Sequence, residues 1–304
     1  MLRFRGDGAT SDDHSNARWS AEDLGERSRL LQRAEAFTKF HELWPSPPTP
    51  VQLFGKPSIG SIPLIICLWN RPKQIDELLE RIDAQVGVGG EPRPRLRLIF
   101  WNNCAPDQDW YEERIAAFRP TGAIDSIELV ASPHNIRGVA RFIVARWLYT
   151  AGVRGNFLML DDDELIGPHA LSELLLAGGE RTIASFWSWR ANPDDYWQRE
   201  RALNGEEADY AATCGCVCDI ELVADDEFFT ALPELGLFIE DAWMSRLALS
   251  RGWNLRAKDI EVEFVLHETN QYGPLILDKV AFWSSLNEQY PLPKAEERRL
   301  IRNQ

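Results

Sequence analysis

The sequence contains no apolar stretch approaching the roughly 20 residues of a membrane-spanning helix, so no membrane span is expected. Its first residues, MLRFRGDGATSDDHSN, lack an apolar core followed by a cleavage site, and no signal peptide is expected from them. Cysteine is scarce. Five residues, an odd number, imply no complete disulfide framework and leave a cytoplasmic protein with reduced thiols as the expectation. Basic residues are also short: 33 Lys and Arg stand against 47 Asp and Glu, for a formal charge of −14. That balance argues against non-specific binding of nucleic acid and against anionic membranes. An anionic substrate would need a cation or a few well-placed arginines to be held. No internal repeat is found. What the chain does have is apolar mass: 44% hydrophobic content and 12 Trp in 304 residues, enough for a substantial core.

Residues 1–57 read as a polar, flexible start, a helix and a Pro-rich linker; residues 58–304 read as the main domain with a C-terminal helix. The helix over Ser20–Trp44 is drawn from Leu24, Leu30, Leu31, Ala34, Phe37, Phe40 and Leu43 at three- and four-residue intervals, and it ends at the linker Pro45–Pro57. From Ile62 the pattern alternates. Apolar strands are expected at Ile62–Trp69, Leu96–Trp101, Ile127–Val130 and Phe157–Leu160, with helices at Ile75–Ile82, Tyr111–Phe118 and Val139–Tyr149 between them. Strands apolar throughout, alternating with helices, predict an α/β fold with a mostly parallel central sheet covered by helices on both faces. Further on, strands are expected at Ile183–Trp189, Tyr210–Cys218 and Glu261–Leu266, and helices at Phe238–Gly252 and Leu275–Tyr290.

The most informative segment is Phe157–Leu165, where four apolar residues run straight into Asp161, Asp162 and Asp163. A buried strand delivers these acids to its C-terminal end, the edge where open α/β sheets bind ligands. Crowded carboxylates repel one another, and a divalent cation removes that penalty. Oxygen-only ligands suit Mg²⁺ or Mn²⁺. The plainer reading is a solvated loop or helix cap before Pro168.

Four features then occur in order: a strand followed by Asn70-Arg71-Pro72, a strand ending in Trp101-Asn102-Asn103, the Asp161–Asp163 triplet, and Glu240-Asp241 opening a helix. This order resembles the GT-A (Rossmann-like) class of nucleotide-sugar glycosyltransferases. The stretch Asn135–Arg141 is similar to the Asn-x-Gly…Arg region of family 2-like members, and the Trp-Asn-Asn and Leu-Asp-Asp-Asp segments resemble the exostosin C-terminal domain. The resemblance spans about Ile62 to Leu266. It implies a metal-dependent transferase of the hexosyl or N-acetylhexosaminyl type, taking a nucleotide-sugar donor, UDP-linked, and a glycan, lipid-linked or small-molecule acceptor, with a homodimer possible.

Carried over residue by residue, Asp163 would bind the metal, and Asp161 or Asp162 would face the ribose or a metal-bound water. Asp161 is a second candidate ligand and His267 a third, although a lone histidine at a strand end is more often structural. Asn70, Arg71, Asn102, Asn103, Arg137 and Arg141 fall at nucleotide-sugar contact positions. Asn-Arg-Pro is equally a strand-to-helix turn, and family 2-like members usually carry aspartate where Asn102 and Asn103 stand. Asp241 is the expected base for the acceptor hydroxyl, with Glu240 as acceptor contact or second candidate; helix-dipole stabilisation also explains acids there. Cys214, Cys216 and Cys218 alternate, which on a strand puts them on one face, a poor zinc spacing. Trp187, Trp189, Tyr196 and Trp197 form an aromatic cluster of the kind that packs on sugars or fills a core.

Two other readings compete. One is a nucleotide-sugar-binding or regulatory module without turnover. The other is an Asp-dependent phosphohydrolase, for which Glu164 stands where Thr or Val is wanted.

Overall fold

The computed structural model describes residues 21–265 and 275–293. The chain runs α1 (Ala21–Leu43), β1 (Val51–Gly55), β2 (Ile62–Leu68), α2 (Ile75–Asp83), β3 (Leu96–Asn102), α3 (Gln108–Ala117), β4 (Ile124–Ala131), α4 (Ala140–Thr150) and β5 (Asn156–Asp161). It continues through β6 (Glu164–Ile166), α5 (Ala170–Ala177), β7 (Thr182–Ser185), β8 (Ser188–Asn192), β9 (Asp195–Arg201), β10 (Tyr210–Ala211) and β11 (Cys216–Asp219). The last elements are α6 (Glu227–Thr230), α7 (Glu240–Ser250), β12 (Asn254–Ala257), β13 (Val262–Phe264) and α8 (Ile276–Gln289).

Eight strands form one sheet in the order β1, β4, β3, β2, β5, β11, β7, β12. The neighbours β4, β3, β2 and β5 are parallel, as are β7 and β12; β1 and β11 run antiparallel to theirs. The period of two decides what each face buries. Leu64, Ile66 and Leu68 of β2 join Leu98, Phe100, Leu158 and Leu160 under α2, α3 and α5. Ile65 and Cys67 point the other way, with Ile99, Trp101, Phe157 and Met159, under α1, α4, α7 and α8. Each fully buried Leu or Ile contributes ~1.5–3 kcal/mol, so a strand apolar on both faces is stable only between two helical layers. The helix-covered α/β sheet expected from the sequence is therefore present. No helix among the described residues is long and apolar enough to cross a membrane.

Parallel strands all end at the same edge. Register puts Cys67 beside Asp161, Leu68 beside Asn102 and Asn102 beside Ala131, so the residues following β2, β3, β4 and β5 converge there.

Three expectations about elements change. The Pro45–Pro57 segment, read as a linker, contains β1, which closes the sheet edge against β4. Ile183–Trp189 is two strands, β7 in the large sheet and β8 in a small sheet with β9 and β10. Tyr210–Cys218 likewise divides into β10 and β11. The corners are made by buried hydroxyls: Ser185 Oγ donates to the carbonyls of Ala212 (2.7 Å) and Cys214 (3.1 Å), and Ser188 Oγ to that of Ser185 (2.9 Å). Gly215, at φ 50°, supplies the left-handed turn into β11.

Helix α1 also differs from its expected face. Ala36, Phe40 and Leu43 enter the core, while Leu30 and Leu31 are exposed.

Candidate active site

Strand β5 is fully buried from Phe157 to Leu160, so the first acid that solvent reaches is Asp161. A turn at Asp162 and Asp163 leads into β6, whose first residue, Glu164, is completely buried. Glu164 Oε2 accepts the amides of Asp161 (3.2 Å) and Gly215 (3.0 Å). One carboxylate oxygen each from Asp161, Asp163 and Glu164 lie within 4.8 Å of one another. Burial and the charge on Asp161 push Asp163 up to about 6, and burial pushes Glu164 well above the usual carboxylate range. Three crowded acids, Asp163 and Glu164 of them desolvated, offer only oxygen donors and fit a hard divalent cation such as Mg²⁺ or Mn²⁺.

Asp162 faces away from this group. Its oxygens accept the Trp69 amide (2.6 Å) and Arg71 Nη1 (2.5 Å), while Arg71 Nη2 reaches Asp163 at 3.0 Å. Burial still raises Asp162 to about 7, against the pull of Arg71.

Arg141 of α4 lies buried between two sets of acids. It donates from Nε to the Gly138 carbonyl (3.0 Å) and from Nη2 to Asp161 Oδ1 (2.6 Å), and Nη2 is 4.0 Å from Glu240 Oε1. Glu240 opens α7 and packs on Gly138; a Cβ at that position would lie 1.8 Å from Glu240 Oε1, so only glycine leaves the carboxylate its place. Burial lifts Glu240 to about 7, with Arg141 opposing and Asp241 adding to the rise. A cavity of about 220 Å³ joins these groups, lined by Trp69, Arg71, Arg137, Arg141, Asp163 and Glu240 among others.

Asp241 turns toward the small sheet. Its Oδ2 accepts the Tyr210 hydroxyl and its Oδ1 the Ala242 amide (2.8 Å). Tyr210 packs edge-on to Tyr196 and Trp283, and the Arg199 guanidinium lies over the rings of Tyr196 (4.3 Å) and Trp189 (4.6 Å). Burial and Asp241 raise Tyr196 to about 12. Of the expected aromatic cluster, Trp187 and Trp197 remain partly exposed beside this group.

The structure thus brings Asp161, Asp162, Asp163, Arg71, Arg137, Arg141, Asn103 and Glu240 to one cavity. Asn103 is spent on scaffolding: its Oδ1 accepts Trp101 Nε1 (3.2 Å) and the Ile136 amide (3.2 Å), and its Nδ2 donates to the Arg137 carbonyl (3.1 Å). Arg137 has a left-handed φ of 65° and lies over Trp69 and Phe238; burial lowers its pKa. Asn102 and Asn70 stand apart from the cavity. Asn102 is buried, and its amide bonds Cys104 and Gln108, tying off the end of β3. Asn70 is exposed at φ 55° and turns the chain after β2. His267 lies outside the described residues; Val265, two positions earlier, donates its amide to the Asp163 carbonyl (2.8 Å).

Sequence reasoning missed Glu164 as a candidate ligand and Tyr210 as the partner of Asp241. A fourth consecutive acid was the available signal for the first; none existed for the second. Cys216 and Cys218 do share a core face on β11, whereas Cys214 precedes the strand. All five cysteines are unpaired.

No protein-family model matches the chain, and no curated protein matches it in sequence. Solved structures do match in shape. S. aureus TarS 1–349 in complex with UDP-GlcNAc aligns over 80% of this chain and 70% of its own, at 14% identity and TM-score 0.51. The longer TarS structure aligns at 13% identity and TM-score 0.48, over 79% of this chain, which spans 42% of that one. The mannosyltransferase PcManGT from Pyrobaculum calidifontis, in complex with GDP-Man and Mn²⁺, aligns over 86% of this chain and 70% of its own, at 14% identity and TM-score 0.46. The chain therefore carries the GT-A-like α/β fold that the order of its motifs resembles.

Proposed function

We propose that the protein is a metal-dependent glycosyltransferase that moves a hexosyl or N-acetylhexosaminyl group from a nucleotide-diphosphate sugar, UDP-linked, to an acceptor hydroxyl. One observation carries this reading: Asp161 and Asp163, clustered with buried Glu164, share a single cavity with Glu240, with buried Arg141 between them. The fold match to a protein solved with UDP-GlcNAc supports a UDP-linked donor.

Asp161, Asp163 and Glu164 would hold Mn²⁺ or Mg²⁺, with His267 a further candidate; the ion supplies charge that stabilises the departing diphosphate. Arg71 and Arg141 add fixed cations at the same edge, in a protein otherwise strongly acidic. In the transfer, the bond from the sugar anomeric carbon to the diphosphate oxygen breaks, and a bond to the acceptor oxygen forms. The acceptor proton passes to the carboxylate pair at the start of α7. Asp241 takes it, held by the Tyr210 hydroxyl on the side of the aromatic sheet. Glu240, fixed by Gly138 and Arg141, keeps the acceptor and Arg141 in register.

The test is release of UDP from a panel of UDP-sugars in Mn²⁺, with and without sugar acceptors. Release that a chelator stops and Asp163→Ala abolishes is the expected result. Binding without release would favour a non-catalytic nucleotide-sugar module. Cleavage of a generic phosphate ester would point to a phosphohydrolase.

A further inference from the structure

The cavity at the acids, about 220 Å³, is smaller than the 300–1,000 Å³ typical of a site that encloses a small ligand. A nucleotide sugar must extend beyond it. Next to it lies a second cavity of about 380 Å³, and the two share Trp69, Asn135 and Arg137 as a common wall. The far wall of the second cavity is α1: Gln32, Glu35, Ala36 and Lys39 line it.

The acid pair at the start of α7 marks one side of the site, and the second cavity marks the other. Asp241, the proposed base, faces Tyr210, which assigns the acceptor to that side. On the other side, Arg71 and Trp69 lead from Asp163 to the second cavity and α1. A ligand whose diphosphate lies at the acids and Arg71 therefore places its remaining part, the nucleoside, toward α1. The lining suits a nucleoside. Trp69, with the Arg137 guanidinium over its ring, gives an aromatic and cationic wall, and Asn135, Gln32, Glu35 and Lys39 offer donors and acceptors for base edges and ribose hydroxyls.

Helix α1 is fixed where this requires. Phe40 and Leu43 are buried in the core, Trp44 stacks on Phe229 at 5.0 Å, and Arg33 pairs with Asp278 of α8. Its polar face toward the cavity is left to solvent, with Gln32 and Glu35 exposed.

We propose that the nucleoside of the donor binds in the cleft between α1 and Trp69, so that the N-terminal helix is a working wall of the donor site. This rests on the nucleotide-sugar reading above. The experiment compares UDP (or GDP, if UDP does not bind) with inorganic pyrophosphate, both in Mn²⁺, by calorimetry on the full chain. The variants are Gln32→Ala/Lys39→Ala, at surface positions that leave the core untouched, and Trp69→Ala. The nucleotide should bind about tenfold more weakly to each variant, the weight of one or two hydrogen bonds or an aromatic contact, while pyrophosphate affinity stays at the wild-type value. Hydrogen exchange over residues 32–39 should slow with the nucleotide and not with pyrophosphate. Unchanged nucleotide affinity in both variants would overturn the placement and leave the site reading standing. A wild-type protein that binds neither ligand would overturn both.

Discussion

Two groups of acids face each other across Arg141, and they are built in opposite ways. At the end of β5, Asp161, Asp163 and Glu164 crowd together, and burial raises two of them. At the start of α7 the acids are separated: Glu240 packs on Gly138 within reach of Arg141, and Asp241 accepts from Tyr210 and the Ala242 amide. In the first, Asp163 and Glu164 stay raised even though Arg71 pairs with Asp163 and Arg141 with Asp161, a crowding that a divalent cation would relieve. In the second, Asp241 has its own hydrogen-bond donors, whereas buried Glu240 lies 4.0 Å from Arg141 and is lifted to about 7. The difference lies in crowding: three carboxylates converge at the end of β5, while the pair at the start of α7 turns apart, Glu240 toward Arg141 and Asp241 toward Tyr210.

Breaking the first group should have the larger effect. Asp163→Ala is expected to lower metal-dependent UDP affinity and turnover at least ~100-fold, measured by calorimetry and UDP release. Breaking the second should separate binding from chemistry. Asp241→Asn should reduce kcat by about 10²–10⁴-fold with donor affinity unchanged, read from kcat and donor KM together. A parallel loss of donor affinity would place Asp241 with the binding groups instead.

Gly138→Ala sharpens the comparison by moving one carboxylate without changing any charge. Its Cβ would displace Glu240 from Arg141, and a displacement of about 1 Å is expected to lower kcat by roughly 10- to 100-fold. Thermal unfolding of the variant separates this from loss of fold.

The smallest effect is on stability, and its sign is informative. Asp162, Asp163 and Glu240 have folded-state values of about 7, 6 and 7, above the ordinary 3.8 or 4.5 of the unfolded chain. The folded protein therefore holds more protons between about pH 4 and 7, and the stability tied to these groups is full at low pH and lost as pH rises through 6 and 7. In chelator, these groups should contribute a higher Tm at pH 5 than at pH 8, by a few degrees. Added Mn²⁺ should narrow that difference by restoring Tm at the higher pH, since the ion replaces the protons at the first group.

The same contrast explains what the sequence made legible. The parallel half of the sheet could be read because β2 and β5 are apolar on both faces and end in turn or acid signals, as at Asn70-Arg71-Pro72; β4, which buries Ser126 and Glu128, showed only its short apolar end. The other half turns its corners with Ser185, Ser188 and Gly215 inside apolar runs, so Ile183–Trp189 and Tyr210–Cys218 each read as one strand. Strand β1 was hidden by the prolines that flank it and by residues largely open to solvent, as an edge strand allows. In the site, Asp161–Asp163 stood out because three acids close an apolar run. Glu164 did not, because its burial depends on pairing with Phe264, far away in the chain. Asn102 carried the right residue type at a strand end, yet its amide is consumed by Cys104 and Gln108. Local hydrogen bonding of this kind leaves no trace in spacing.

The central claim, that one acid group holds the donor through a cation and the other serves the acceptor, is tested most directly by calorimetric titration of UDP with and without Mn²⁺ into wild type, Asp163→Ala and Asp241→Asn. Mn²⁺-dependent binding to wild type, none to Asp163→Ala, and wild-type affinity in Asp241→Asn are expected. Metal-independent binding, or binding that Asp163→Ala leaves intact, would contradict that claim.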